Sequence, residues 1–184
     1  RFAQAGMSVV VADVEEPALD QAVAELQVAG AKALGVVCDV ADHSAVVELG
    51  DRTEEAFGPP QVLCLNAGIG VSGPLAAASM ADWKWVIDVN LWGVIHGLDV
   101  FLSGLIGRDE GHVIFTASVA GHYSFPHLGP YAATKYGVVA IAETPHAELR
   151  AGRKRVVSGK RVQLGGPRSM TQNIRTPRHP PLLP

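Results

Sequence analysis

Residues 7–13, MSVVVAD, form a short apolar run that ends in an acid, a pattern typical of a buried parallel β-strand. The next stretch, 17–30, reads PALDQAVAELQVAG. Its apolar residues recur at helical spacing, with a proline at the start and a glycine at the end, which predicts a helix. A second apolar run at 33–38 predicts another strand. Strand, helix and strand in this order indicate a parallel sheet covered by helices.

The same alternation continues along the chain. It predicts further elements in this order: a helix at 44–57, a strand at 62–65, a long helix from Ser79 capped by Ser79 or Asp82, a strand at 112–117 and a helix from Pro130 toward Arg150. We therefore predict an α/β fold, a doubly wound parallel sheet with helices on both faces and right-handed crossovers.

Composition limits the possible classes of protein. A chain of 184 residues, 48% of them hydrophobic, can bury one sizeable core. It contains no uninterrupted apolar run of about 18 residues and no signal-peptide pattern, so we expect no membrane segment. We expect Cys38 and Cys64, each inside an apolar run, to be buried strand thiols in a reducing cytoplasm. We expect no metal site, because the histidines are scattered.

Charge divides the chain into two unequal parts. Residues 1–149 hold all 18 acids and 6 Lys or Arg, whereas residues 150–184 hold 9 Lys or Arg and no acid. We expect 151–184 to be a divergent or disordered basic segment, derived from a shifted reading frame or a divergent terminus. The alternative is a nucleic-acid-binding arm, which we rank low because aromatic residues are not interleaved with these charges.

Four polar residues follow the predicted strands: Asp13, Asp39, Asn66 and Ser118. In parallel α/β sheets, ligands bind beyond the carboxyl ends of the strands. Asp and Asn also favour strand-to-helix turns for local reasons, so each residue alone is more simply explained as a turn residue. The four together favour a ligand site.

Residues 129–137, GPYAATKYG, place Tyr131 and Lys135 four residues apart, on one face of a helix. A free tyrosine ionises near pH 10 and is a poor base at neutral pH, but a neighbouring cation stabilises the phenolate. Each candidate for a catalytic role also has a structural alternative. Tyr131 would then be a packing aromatic, Ser118 would cap a turn, and the Asn90 side chain would bond to a carbonyl of its own helix.

Four segments resemble the short-chain dehydrogenase/reductase family, in order and in spacing: LNAG at 65–68, DVNLWGV at 88–94, FTASVAG at 115–121 and YAATK at 131–135. The resemblance covers roughly residues 1–150. It implies a partial Rossmann-type dinucleotide-binding and catalytic domain of a nicotinamide-dependent oxidoreductase. The implied substrate is a small-molecule alcohol or ketone, with no choice made between a steroid, a polyol and a small ketone. The implied assembly is a homodimer or homotetramer.

The resemblance also assigns roles. Tyr131 would be the acid/base, and Lys135 would support it and bind the nicotinamide ribose. Ser118 would hold the substrate oxygen, Asn90 would anchor a water that links Lys135 to solvent, and Asn66 would brace the sheet. The implied cofactor-binding residues are Asp13, Asp39, Val40, Asn66, Ala67, Gly68, Tyr131 and Lys135.

Asp13 favours NAD over NADP. At the end of a Rossmann strand a carboxylate accepts hydrogen bonds from the adenosine ribose hydroxyls and repels a 2′-phosphate. No Arg or Lys lies in the following residues, VEEPALD at 14–20. By resemblance, Asp39 and Val40 would flank the adenine.

The sequence departs from the family pattern in several places. By comparison with the family pattern we expect this chain to lack a first strand and its glycine-rich turn, and we therefore expect a sheet that is incomplete at the N-terminus, with exposed backbone groups on both neighbouring strands. Leu65 stands where the family usually has Asn, and Pro145 falls inside the Tyr131 helix. The alternative function is an inactive family fragment that serves as a partner-binding or structural subunit.

Overall fold

The computed structural model describes residues 1–151 and 156–161, with side chains described through residue 144. Its strands are β1 (Val9–Asp13), β2 (Ala33–Val37), β3 (Val62–Leu65), β4 (Gly111–Thr116) and β5 (Val156–Arg161). Its helices are α1 (Glu16–Val28), α2 (His43–Phe57), α3 (Met80–Ile87), α4 (Gly93–Gly107) and α5 (Gly129–Ala151). A π-helical turn, Asp88–Trp92, joins α3 to α4.

The predicted α/β architecture is confirmed. The strands and helices occur in the predicted order, with ends within two residues of the predicted bounds, and the predicted long helix comprises α3, the π-helical turn and α4. Ser79 and Asp82 cap α3 together: Asp82 N–H donates to Ser79 Oγ, and Ser79 N–H donates to Asp82 Oδ2. This reciprocal capping box satisfies two helix-end donors and explains why the helix begins there.

The strands form two parallel groups in the described part of the chain. β1 pairs with β2, and β4 lies between β3 and β5. Within the described residues β1 and β3 each pair on one side alone, and they are not hydrogen-bonded to each other. The carboxyl ends of parallel strands point the same way, so the polar residues that follow them share one end of each group.

β5 changes the expectation for the C-terminal part. Two apolar stretches of the sequence, at 156–157 and at 162–164, predict at best a short strand there. In the structure Val156–Arg161 pairs with β4 along six residues, from Gly111 to Thr116. The sheet therefore continues beyond the division predicted at residues 150 and 151. Residues 152–155 and 162–184 lie outside the described residues, so the predicted divergent or disordered segment and the second possible strand at 162–164 stay predictions.

The core lies between β3, β4, α4 and α5. Its fully buried side chains include Leu105, Val113, Phe115 and Val138. Gly97 allows α4 to approach β3 closely, because a Cβ at this position would collide with Leu65 Cδ2. Leu65 thus packs on α4 directly before the chain enters the predicted site.

The two cysteines differ, which corrects the expectation that both are buried. Cys38 is buried and Cys64 is exposed. Successive strand side chains face opposite sides of a sheet. Because Leu65 faces α4, Cys64 faces the other side of β3, which the described residues cover less.

Met80–Gly107 is, by length and composition alone, long and apolar enough to cross a membrane. This finding does not test the expectation that the chain has no membrane segment, which stays a prediction. A single such helix is weak evidence, since core helices of water-soluble proteins pass the same test. In this chain it carries Asn90, which is fully buried inside the protein.

Candidate active site

The loop after β3 is tied to the end of β4. Asn66 Oδ1 accepts a hydrogen bond from Thr116 Oγ1 at 2.9 Å, and Thr116 is the last residue of β4. Asn66, Ala67 and Gly68 are all exposed. The structure therefore presents three of the predicted cofactor-binding residues at the carboxyl end of the sheet.

Asn90 fastens this loop from the opposite side. Its side chain is 0% exposed and lies in the π-helical turn, a feature that is frequent at functional sites. Asn90 Oδ1 accepts from Ile69 N–H at 2.7 Å, and Nδ2 donates to Ile69 O at 2.8 Å and to Thr134 Oγ1 at 3.1 Å. The side chain thus bonds across the site and not back to its own helix. Its predicted role in anchoring a water stays a prediction.

Lys135 lies under the loop as a buried ammonium. It is 4% exposed, and its Nζ donates to Thr116 O at 2.9 Å. Burial lowers its pKa from the usual 10.5 to about 8, because low dielectric disfavours the charged form. At neutral pH the residue still carries its charge, held inside the protein by a strand carbonyl.

Gly68 fits closely beside this ammonium. A Cβ at Gly68 would lie 3.3 Å from Lys135 Nζ and 3.4 Å from Asn90 Oδ1. A larger residue would therefore crowd both groups. The glycine in the LNAG segment is explained by this approach of the backbone to the buried polar atoms.

Tyr131 lies beside the same ammonium. Lys135 Nζ is 5.7 Å from the centroid of the Tyr131 ring, within the range of a cation–π contact. The ring is half-buried, so it is neither a core aromatic nor a freely exposed one. The structure confirms that the two side chains share one helix face, as the four-residue spacing predicted.

Ser118 caps a short turn that packs on α5. Its Oγ accepts from Ala120 N–H at 3.2 Å, and the turn is Val119–Gly121. A Cβ at Gly121 would lie 2.6 Å from Lys135 O, so only glycine lets this turn lie against α5. The capping role that the sequence left open is observed, and the substrate-binding role of the same hydroxyl stays a prediction.

Asp13, Asp39 and Val40 lie apart, at the ends of β1 and β2. Asp13 Oδ1 accepts from Glu15 N–H at 3.0 Å, and Asp39 Oδ1 accepts from Ala41 N–H at 2.9 Å. Both carboxylates are exposed. Each carboxylate stabilises a local turn through its Oδ1, as the simpler interpretation held. The second oxygen of each carboxylate, Oδ2, lies beside the oxygen that makes this bond.

Sequence reasoning missed two threonines that connect these parts. The Thr116 carbonyl accepts a hydrogen bond from Lys135 Nζ, and the Thr116 hydroxyl donates one to Asn66 Oδ1. Thr134, 1% exposed, accepts from Asn90 and donates to Tyr131 O at 2.8 Å. Both lie inside the quoted FTASVAG and YAATK segments, so the signal was a hydroxyl one or two residues before a predicted site residue.

The arrangement fits a dinucleotide cofactor. The exposed Asp13 carboxylate offers acceptors for sugar hydroxyls at the end of β1, and the exposed backbone at Gly68 lies beside the buried Lys135 ammonium after β3. Among the described residues, no group of three or more His, Cys, Asp or Glu could hold a metal ion.

Comparisons with known proteins agree with the Rossmann-type fold. The family model described as short chain dehydrogenase matches residues 1–173. The chain therefore belongs to the short-chain dehydrogenase/reductase family. The match extends past residue 150, where the sequence alone placed the end of the resemblance.

Individual relatives support the same family assignment. The chain is 38% identical over 144 residues to a C alpha-dehydrogenase of Sphingobium sp., covering 77% of this chain and 47% of that protein. A short chain dehydrogenase/reductase from Burkholderia phymatum in complex with NAD has a TM-score of 0.82 at 43% identity, covering 87% and 57%. An actinorhodin polyketide ketoreductase with NADPH has a TM-score of 0.82 at 30% identity, covering 86% and 61%. The chain thus spans roughly half the length of its relatives.

Replacing Lys135 by Met should flatten the rise of stability with pH. Folded Lys135 loses its proton near pH 8, whereas the unfolded residue keeps it until about 10.5. Between these values the unfolded state binds more protons, so the free energy of unfolding rises with pH as the cost of the buried charge disappears. Lys135→Met should lower this slope by up to about 1.4 kcal/mol per pH unit, measured by urea unfolding from pH 7 to 10.5.

The matched control is Lys84→Met. Lys84 is exposed and pairs with Asp88 on the surface of α3, so its loss should leave the slope unchanged. Parallel stability curves for wild type and Lys135→Met would show that Lys135 titrates normally in the folded chain.

Proposed function

We propose that this chain belongs to an NAD-dependent enzyme that interconverts an alcohol and a ketone, with Tyr131 as the acid/base. The observation that carries the proposal is the buried Lys135 Nζ, 5.7 Å from the Tyr131 ring centroid. A positive charge held in a low-dielectric site stabilises a negative charge on the neighbouring phenol oxygen. Relatives whose names are dehydrogenase or ketoreductase support this reaction class.

The proposed step transfers one proton and one hydride. In alcohol oxidation, the Tyr131 phenolate takes the hydroxyl proton while the carbon–hydrogen electron pair leaves as hydride. A bound nicotinamide supplies the hydride acceptor, or the donor in the reverse direction. Lys135 stays charged below pH about 8, so the cation that favours the phenolate is present at neutral pH.

Two further residues support this transfer. The Ser118 hydroxyl accepts from Ala120 N–H and still has its own hydrogen to donate to a substrate oxygen, an oxyanion-type contact. Asn90 holds the loop beside Lys135 through Ile69, and we propose that it also anchors a water. Asn66, Ala67 and Gly68 would line the nicotinamide side of the cofactor.

The continuous helix Met80–Gly107, which comprises α3, the π-helical turn and α4, and the helix α5 are the proposed oligomer surfaces. Met80 and Trp92 are exposed on the first of these helices, and large exposed apolar side chains are a feature of interaction sites. We propose a homodimer or homotetramer for the intact protein, acting in the cytoplasm on a small-molecule substrate.

The second candidate function is a partner-binding subunit without activity. The observation that favours it is that β1 and β3 each pair on one side alone in the described residues. Unpaired strand edges are templates for binding another chain. Cofactor binding separates this candidate from the enzyme.

Tyr131→Phe should abolish turnover and leave cofactor binding in place. The substitution removes the phenol oxygen that moves the proton and keeps the ring against Lys135. Turnover is followed by NADH absorbance with a panel of ketones and secondary alcohols, and a fall of at least about 10²-fold is expected for loss of an acid/base.

Tyr136→Phe is the matched control. Tyr136 lies on the same helix with its ring 43% exposed, outside the described network, so its loss should not affect turnover. Tyr131→Phe with wild-type activity would remove Tyr131 from the mechanism.

The chain should bind NADH more tightly than NADPH. Asp13 is exposed at the end of β1, and its carboxylate would repel a 2′-phosphate while accepting from ribose hydroxyls. Fluorescence titration with both cofactors measures the preference, and Asp13→Ser should narrow it. Tighter NADPH binding would contradict the assignment, and binding of neither cofactor would favour the partner-binding candidate.

A further inference from the structure

His96, on α4, reaches across to the turn that follows β2. Its Nδ1 lies 2.9 Å from Val40 O, a contact between residues 56 positions apart. A carbonyl oxygen only accepts, so Nδ1 must carry the hydrogen and donate it. The tautomer of His96 is therefore set by Val40.

The imidazole ring is held in place by two other rings. Trp92, one helical turn earlier, lies 5.8 Å from it at a tilt of 30°, and His43 meets it nearly edge-on at 5.2 Å. His43 Nε2 in turn contacts Asp99 Oδ2 at 2.9 Å. These contacts link α2 and α4 around His96 and leave its ring little freedom to turn away from Val40.

A second contact fixes the same turn from the same helix. A Cβ at Gly93 would lie 2.7 Å from Val40 Cγ2, so the Val40 side chain packs directly on the α4 backbone. Gly93 and His96 are three residues apart and face the same way. The same face of α4 thus contacts both the side chain and the carbonyl oxygen of Val40.

The turn itself is built on Asp39. Its Oδ1 accepts from Ala41 N–H at 2.9 Å, and its main-chain oxygen accepts from Asp42 N–H at 3.0 Å. Val40 lies inside this turn, so a shift of Val40 moves Asp39 as well. The hold of α4 on Val40 therefore sets the position of both residues proposed to flank the adenine.

We propose that His96 is a positioning residue for the adenine-binding turn. The inference rests on the proposed function, because adenine contact by Asp39 and Val40 is part of that proposal. The Nδ1–H donor keeps the Val40 carbonyl bonded to α4. Loss of the donor leaves that carbonyl to solvent and lets the turn move about its packing contact with Gly93.

The test compares His96→Asn with His96→Gln. The Asn amide nitrogen occupies nearly the position of Nδ1 and can still donate to Val40 O, whereas the Gln amide nitrogen lies near the position of Nε2. Amide hydrogen exchange at Ala41 and Asp42 reports the turn without any cofactor. His112→Gln, on β4, controls for the loss of an imidazole elsewhere.

His96→Gln should speed exchange at Ala41 and Asp42 by about tenfold, the loss expected for one hydrogen bond. It should weaken NADH binding by a similar factor, with exchange in the core at Val113 and Phe115 unchanged. His96→Asn and His112→Gln should match wild type in both measurements.

Equal exchange in His96→Gln and wild type would overturn the proposal, and so would loss of protection in His96→Asn as large as in His96→Gln. If the wild-type chain binds no NADH, the proposed function fails, and the exchange comparison still decides whether His96 positions the turn.

Discussion

The site depends on one buried ammonium group bonded to a strand carbonyl. Lys135 Nζ donates to Thr116 O at 2.9 Å while the side chain is almost completely enclosed. Removing a charge from water is costly unless the group is bonded, and this cost appears as the lowered pKa, about 8. The bond joins α5 to the end of β4, so the position of the Tyr131 ring is set by the same contact that supplies the charge.

Around that bond, small and amide side chains bring four chain segments together. Gly68 and Gly121 let a loop and a turn approach Lys135 where a methyl group would crowd it. Asn90 bonds both main-chain groups of Ile69 and the Thr134 hydroxyl. Networks of this kind are rigid when every member is satisfied, and no buried side-chain polar atom among the described residues is left without a partner.

Local patterns predicted much of this molecule. Apolar runs ending in Asp or Asn gave the strands and their polar ends, and the four-residue spacing gave the shared face of Tyr131 and Lys135, because both are properties of a short stretch. The hydrogen bonds of Thr116 and Thr134, and the reach of His96 to Val40, join positions far apart in the sequence, and no local pattern contains them. The strand at 156–161 was underestimated because its polar residues obscure a pairing that β4 supplies.

The most direct test is an NMR titration of the Lys135 side chain in the folded protein. ¹³C-labelled lysine gives one ε-methylene signal per residue, and the spectrum of Lys135→Arg assigns the signal of interest. We expect Lys135 to titrate with a midpoint of about 8. A midpoint for Lys135 near 10.5, the usual value for a lysine side chain, would contradict a buried ammonium as the basis of the site.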